Sequence, residues 1–165
     1  MKSDWRDKLE KKLMAAPRIA ILGVGNSLRG DDAAGGIVVR ELKNTVGKRK
    51  GRKTLLLDGG EAPESLTGEV RKFDPSHVLI VDAARGGHKP GTIYLVDRDE
   101  ISQDDLTTHR IPLIFLIGFL EDSLGCRVEV IGIEPKNLDL GEPVSEEVFA
   151  AISLLAEELE KILIA

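Results

Sequence analysis

Short apolar runs, each bounded by glycine, proline or charged residues, recur along this chain of 165 residues. Continuous apolar runs of about four to eight residues are typical of strands that are buried on both faces of a parallel sheet. They predict strands at residues 19–24, 54–57, 77–81, 92–96 and 127–133. We therefore expect a sheet that is covered on both sides.

Amphipathic segments fill the intervals between these runs. Trp5, Leu9 and Leu13 recur every four residues and predict a short helix within residues 1–16. Further helices are predicted from the loop after the first strand to about Val46, after Pro63, through the apolar stretch 113–120, and from Ser145 onward. The alternation of strands and helices predicts an α/β fold with a mostly parallel sheet.

The loop at residues 85–91 interrupts this alternation. It is too short to hold a crossover helix, so the strand after it is predicted to run antiparallel to its neighbour, which makes the sheet mixed. The length of the chain suits one core, and no linker divides it. The sequence therefore predicts a single domain over residues 1–165, in which residues 1–17 form an N-terminal helical extension.

The composition limits the partners and the compartment. A formal net charge of −5, with 31% charged residues, gives no general attraction to nucleic acid or to an anionic membrane. The longest apolar run, at residues 113–120, is far below the ~18 residues that a membrane span needs. Cys126 is the single cysteine and is predicted to be a buried structural residue. Because the sequence shows neither a signal peptide nor a cysteine pair, we expect a cytoplasmic protein.

The glycine-rich loop at residues 23–35 follows the first strand and opens a helix, as phosphate-binding loops do. Leu28 stands where a dinucleotide fingerprint needs its third glycine, and Asp31 and Asp32 follow Gly30 where a P-loop needs lysine and then serine or threonine. Carboxylates at a helix start suit a cation better than an anion. The loop therefore predicts half of a metal site, and dinucleotide binding is the weaker interpretation.

Polar residues from three segments are expected to meet at one edge of the sheet. Ligands of open α/β sheets bind beyond the carboxyl ends of the parallel strands. Asp31 and Asp32 follow the first strand, Asp82 follows the third, and His109 precedes the apolar helix. Carboxylates that lie close together repel, so a proton or a cation has to fill such a site. Two oxygens and one nitrogen suit a borderline divalent ion such as nickel or zinc.

These residues belong to a spaced set of motifs. The set comprises Gly23-x-Gly25-Asn26-x-x-x-x-Asp31-Asp32, Val81-Asp82-Ala83 and Thr107-Thr108-His109-x-x-Pro112-Leu113, with Asp58-Gly59-Gly60, Pro63-Glu64 and Gly132-Ile133-Glu134-Pro135 in agreement. It resembles the signature segments of the nickel–iron hydrogenase maturation endopeptidases, and the resemblance covers roughly residues 18–160. Ala33 departs from the pattern, because many relatives carry glycine there.

The resemblance implies a protease that removes the C-terminal extension of a hydrogenase large-subunit precursor after nickel insertion. It implies that Asp32, Asp82 and His109 contact this nickel, which the substrate carries and for which zinc or cadmium could substitute in the site. It also implies a three-layer α/β sandwich of the phosphorylase/hydrolase-like kind, with about five strands and helices on both faces. We expect such a protein to act as a monomer.

Metal-assisted peptide hydrolysis is the expected mechanism, because the chain has neither a GxSxG elbow nor an HExxH pair. The general base stays open between Asp31 and Asp82, with Asn26 as a residue that helps to position the backbone. His88 is the alternative third ligand, whereas His77 is interpreted as structural. The alternative function is a non-catalytic, metal-dependent binding module or chaperone for the precursor.

The sequence leaves the roles of two surfaces open. Residues 48–53 form a dense basic cluster, which is interpreted as a solvated turn or as a docking patch for an acidic partner. The apolar face of residues 113–120 is interpreted as core, or as partly exposed to receive the substrate.

Overall fold

A five-stranded sheet lies between two layers of helices in the computed structural model, which describes residues 4–46, 51–101 and 113–165. The strands are β1 (Arg18–Val24), β2 (Lys53–Gly60), β3 (His77–Ala83), β4 (Ile93–Leu95) and β5 (Arg127–Ile133). The helices are α1 (Asp4–Leu13), α2 (Ala34–Thr45), α3 (Thr67–Phe73), α4 (Leu113–Leu124) and α5 (Glu146–Ile164). One-turn 3-10 helices at Gly30–Ala33 and Pro63–Leu66 lead into α2 and α3. The predicted three-layer α/β sandwich is confirmed.

The strand order is β2-β1-β3-β5-β4, and the first four of these strands are parallel. β4 is antiparallel, as predicted, but its partner is β5 and not the preceding strand β3. The reason is the path of the short loop after β3, which crosses the end of β5. Ala84 donates its backbone N–H to the carbonyl of Ile133 at 3.1 Å, and Gly91 donates to the carbonyl of Glu134 at 2.8 Å. The sheet is therefore mixed, with β5 inserted between β3 and β4.

Each face of the sheet carries its own apolar core, because successive side chains of a strand point to opposite faces. Leu79 and Val81 of β3 belong to the core that α1, α2 and α5 cover. Val78 and Ile80 belong to the core that α3 and α4 cover. Cys126 lies in this second core, as predicted, and burial raises the pKa of its thiol. None of the helices in the described ranges is both long and apolar enough to cross a bilayer.

The N-terminal helix α1 is part of the first core. Trp5, Leu9 and Leu13 are all buried against it, which confirms the predicted apolar face of this helix. Arg6 forms an ion pair with Glu158 of α5. The extension is therefore attached by apolar burial as well as by charge.

We expect Leu9→Ala to lower the free energy of unfolding by about 2–5 kcal/mol, the usual range for a cavity left by a fully buried leucine. Leu9 has no exposed surface, whereas Leu154 of α5 is 48% exposed and supplies the matched control. Urea unfolding of the two alanine variants measures the difference. Equal stability of both variants would show that α1 does not contribute to the core.

Candidate active site

Four buried acidic side chains lie at the carboxyl edge of the sheet. Asp31, Asp32, Asp82 and Glu134 are 0%, 3%, 4% and 6% exposed. They follow or end β1, β3 and β5, whose parallel carboxyl ends share this edge. Buried carboxylates are costly unless they are hydrogen-bonded or neutralised by a cation, so each of the four needs an explanation.

Asp32 is held by the loop that follows β1. Its Oδ2 accepts the backbone N–H of Asn26 at 2.8 Å. Gly25 has a φ of +133°, and a side chain there would collide with the backbone carbonyl of Asp32. Only glycine combines this backbone conformation with such a close approach. The glycine motif thus serves to bring the loop backbone against the Asp32 carboxylate.

Asp31, the adjacent residue, points instead into the segment between β5 and α5. Its Oδ2 accepts the backbone N–H groups of Lys136 at 2.8 Å and Asn137 at 3.0 Å. Ser145 donates its backbone N–H to Oδ1 at 2.7 Å and its hydroxyl to Oδ2 at 3.0 Å. Four donors and complete burial favour a structural role for Asp31 over the role of general base, which the sequence had left open.

The bonds of Asp31 fix a loop as well as the start of α5. Ser145 caps this helix, since its hydroxyl also accepts the N–H of Val148 at 3.4 Å. Lys136 pairs with Glu147 of the first turn of α5 at 3.0 Å, and this hydrogen bond raises the pKa of the lysine. The connection from β5 to α5 is therefore anchored at both of its ends.

Asp82 lies near the carboxyl end of β3, in register with Gly132 of β5. Strand alternation gives it the same facing as Val78 and Ile80, which pack in the core covered by α4. His109 lies outside the described residues, so its position stays a prediction. In the sequence it precedes Leu113, the first residue of α4, by four positions.

Glu134 is the buried acid whose role the sequence did not reveal. Its carboxylate accepts the backbone N–H groups of Gly86 at 2.8 Å, Gly87 at 3.0 Å and His88 at 3.2 Å. It therefore binds the loop that follows Asp82 to the end of β5. The available signal was its position directly after the apolar residues of a buried strand, since Asp82 likewise follows the apolar residues of β3.

His88, the alternative third ligand, is exposed and packs on Tyr94, with the ring centroids 4.3 Å apart. No group of three or more histidine, cysteine or acidic side chains with metal-binding spacing occurs within residues 4–46, 51–101 and 113–165. The described residues therefore do not combine His88 with Asp32 and Asp82. His77 lies at the opposite end of β3, where burial and then Arg127 lower its pKa, in keeping with its structural interpretation.

A cavity of about 310 Å³ opens beside the Asp32 loop. Its lining includes Asn26 and Leu28 of this loop, Arg40 of α2, and Asp58 and Glu61 at the end of β2. Asn26 donates its side-chain N–H to Glu61 at 2.6 Å, so the same residue that positions Asp32 also forms part of the cavity wall.

Comparisons with known proteins show the family of the chain. A family model described as hydrogenase maturation protease matches residues 37–162. The hydrogenase 3 maturation protease of Escherichia coli is 35% identical over 141 residues, which cover 85% of this chain and 87% of that protein. A putative hydrogenase maturation protease of Methanocaldococcus jannaschii is 30% identical, with 97% and 99% covered.

Solved structures give the same result. The crystal structure of a nickel–iron hydrogenase maturation protease from Thermococcus kodakarensis superposes with a TM-score of 0.85 at 34% identity, covering 94% of this chain and 98% of that chain. The crystal structure of the hydrogenase 3 maturation protease has a TM-score of 0.74 at 34% identity, with 88% and 90% covered. Fold and sequence thus agree over nearly the whole chain, which belongs to the hydrogenase maturation protease family and is a peptidase.

Proposed function

We propose that this peptidase removes the C-terminal extension of a nickel–iron hydrogenase large-subunit precursor after nickel has been inserted into that subunit. In this proposal Asp32, Asp82 and His109 contact the nickel that the precursor carries. The ion belongs to the substrate, and zinc or cadmium could take its place in the site. Cleavage is therefore conditional on a loaded precursor.

The observation that carries the proposal is the burial of Asp32 and Asp82 at one sheet edge, in a chain that belongs to the hydrogenase maturation proteases. Carboxylate oxygens with one imidazole nitrogen match the ligand preference of borderline divalent ions. Asp82 lies on the face of the sheet that α4 covers, and His109 shortly precedes α4 in the sequence. This arrangement supports His109 as the third contact.

Peptide hydrolysis adds water across the scissile C–N bond. The water oxygen becomes part of the new C-terminal carboxylate, and the leaving nitrogen takes a proton. A divalent ion at the scissile carbonyl polarises it or lowers the pKa of a bound water. Of the two acids considered for proton transfer, Asp82 is the one that we retain, because Asp31 accepts four hydrogen bonds from its own loop.

Intact-mass spectrometry of the precursor tests the proposal. The precursor is incubated with the protein once loaded with nickel and once free of nickel. We expect a defined C-terminal peptide to be released from the loaded sample alone. Release from both samples would contradict the nickel requirement, and a stable complex of unchanged mass would instead indicate a binding module.

A matched pair of histidine variants tests the ligand set in the same assay. We propose that His109→Ala abolishes peptide release and that His88→Ala retains it, since His88 packs on Tyr94 at the surface. The reverse result would make His88 the third contact.

We place the reaction in the cytoplasm with the protein as a monomer. Sedimentation of the purified chain tests the monomeric state.

A further inference from the structure

Two exposed leucines project from neighbouring loops at the edge that carries the buried acids. Leu28 is 67% exposed and Leu140 is 68% exposed, and we call this pair the leucine rim. Leu28 follows β1 in the Asp32 loop, and Leu140 lies in the connection from β5 to α5. Single exposed leucines need no explanation, but two on adjoining loops at a functional edge do.

The two loops are bonded to each other. Gly141 donates its backbone N–H to the carbonyl of Leu28 at 2.8 Å. Asp31 donates its own backbone N–H to the carbonyl of Asn137, also at 2.8 Å, and its carboxylate binds the same connection. A side chain at Gly30, whose φ is +54°, would collide with the Asn137 carbonyl. The loops are thus packed without space between them.

An asparagine also rigidifies each loop from within. The Asn26 side-chain oxygen accepts the backbone N–H of Leu28 at 2.9 Å. The Asn137 side-chain oxygen accepts the backbone N–H of Asp139 at 2.8 Å, one residue before Leu140. Such turns fix the backbone locally. An apolar contact that is held in place before binding loses less conformational entropy when a partner arrives.

The position of the leucine rim favours a segment of the precursor as its occupant. Leu28 lines the same cavity as Asn26, whose backbone N–H binds the Asp32 carboxylate. A peptide whose scissile bond reaches Asp32 therefore passes beside Leu28. A second copy of this chain is the weaker occupant, because two leucine side chains supply far less than the ~800 Å² per partner of a stable interface.

We infer that the leucine rim is a docking surface for an apolar segment of the precursor next to the scissile bond. This inference rests on the proposed function. The rim adds apolar recognition to a site whose buried side chains are acids. It selects a precursor that presents an apolar side chain beside the bond to be cut, in addition to the nickel.

Charge-introducing variants test the surface. Leu28→Glu and Leu140→Glu are compared with the wild type. Leu28→Met is the conservative variant. Leu154→Glu on α5 is the control, because Leu154 is an exposed leucine away from this edge. Binding of nickel-loaded precursor is measured by titration, and cleavage is measured by intact mass. We expect each rim variant to weaken binding and raise KM roughly 10-fold or more, as burial of a leucine implies, with kcat and Tm nearly unchanged. Leu28→Met and Leu154→Glu should bind like the wild type.

The outcomes separate this inference from the proposed function. Unchanged precursor binding by both rim variants would overturn the docking surface, even if the wild type cleaves normally. If the wild type binds the precursor without cleaving it, and the rim variants do not bind it, the docking surface is supported and the proposed function is refuted. A wild-type protein that neither binds nor cleaves the precursor would overturn both. A wild-type dimer that Leu28→Glu dissociates would identify the rim as a self-interface and overturn precursor docking.

Discussion

Asp32→Ala is expected to release the C-terminal peptide about 100-fold more slowly than the wild type, or not at all, while the protein stays folded. Groups that stabilise developing charge in a transition state are each worth about 10²–10³ in kcat. Asp32 combines near-complete burial with a hydrogen bond from the backbone N–H of Asn26. Timed intact-mass spectra of the nickel-loaded precursor measure the rate.

Two further variants make this result specific. Asp32→Asn keeps an oxygen for the Asn26 N–H but removes the formal charge, so we expect normal stability and the same loss of cleavage. Asp122→Ala removes an exposed acid near the end of α4 and should cleave like the wild type. Normal cleavage by Asp32→Ala would remove Asp32 from the nickel-contacting set.

Asp31→Ala should lower the free energy of unfolding by at least about 3 kcal/mol. The change leaves the backbone N–H groups of Lys136, Asn137 and Ser145, which form part-buried hydrogen bonds, without their charged acceptor, and each such bond is worth at least about 1 kcal/mol. Domains of this size have only about 5–15 kcal/mol of total stability. Urea unfolding at a fixed pH measures the loss.

Ser145→Ala is the graded comparison for Asp31→Ala. It removes the hydroxyl that bonds Asp31 and caps α5, but it keeps the backbone N–H, so we expect a loss of about 0.5–2 kcal/mol. A loss below about 1 kcal/mol for Asp31→Ala would show that water replaces the carboxylate, and the anchoring role would then be wrong.

The strands could be predicted well because local signals mark their ends. β5 begins at Arg127, just after Gly125 and Cys126, and ends before Glu134 and Pro135, so the predicted and observed ranges are identical. β3 was predicted to end at Val81 and extends to Ala83, because pairing with β5 continues past the apolar residues. Order within the sheet was harder, since nothing local to β4 indicates that β5 takes the place beside β3.

The roles within the acidic pair could not be predicted from the sequence. Asp31 and Asp32 are chemically identical neighbours, and the donors that give Asp31 its structural role are remote from it in the chain. Ser145 is 114 positions from Asp31, whereas Asn26, which donates to Asp32, is only six positions away from it. The proximity of Leu28 and Leu140 has the same origin, because it depends on a contact between two loops that are far apart in the sequence. The place of His109 remains a prediction.

The one-turn helix at Gly30–Ala33 carries both Asp31, which anchors the start of α5, and Asp32, which we propose contacts the nickel of the substrate. During synthesis the ribosome adds Ser145 to the chain 114 residues after Asp31. A nascent chain that has reached only Lys136 lacks Asn137 and Ser145. Three of the four hydrogen bonds to the Asp31 carboxylate therefore cannot form in it. The anchoring of the one-turn helix that also carries Asp32 is therefore complete only once Ser145 has been synthesised.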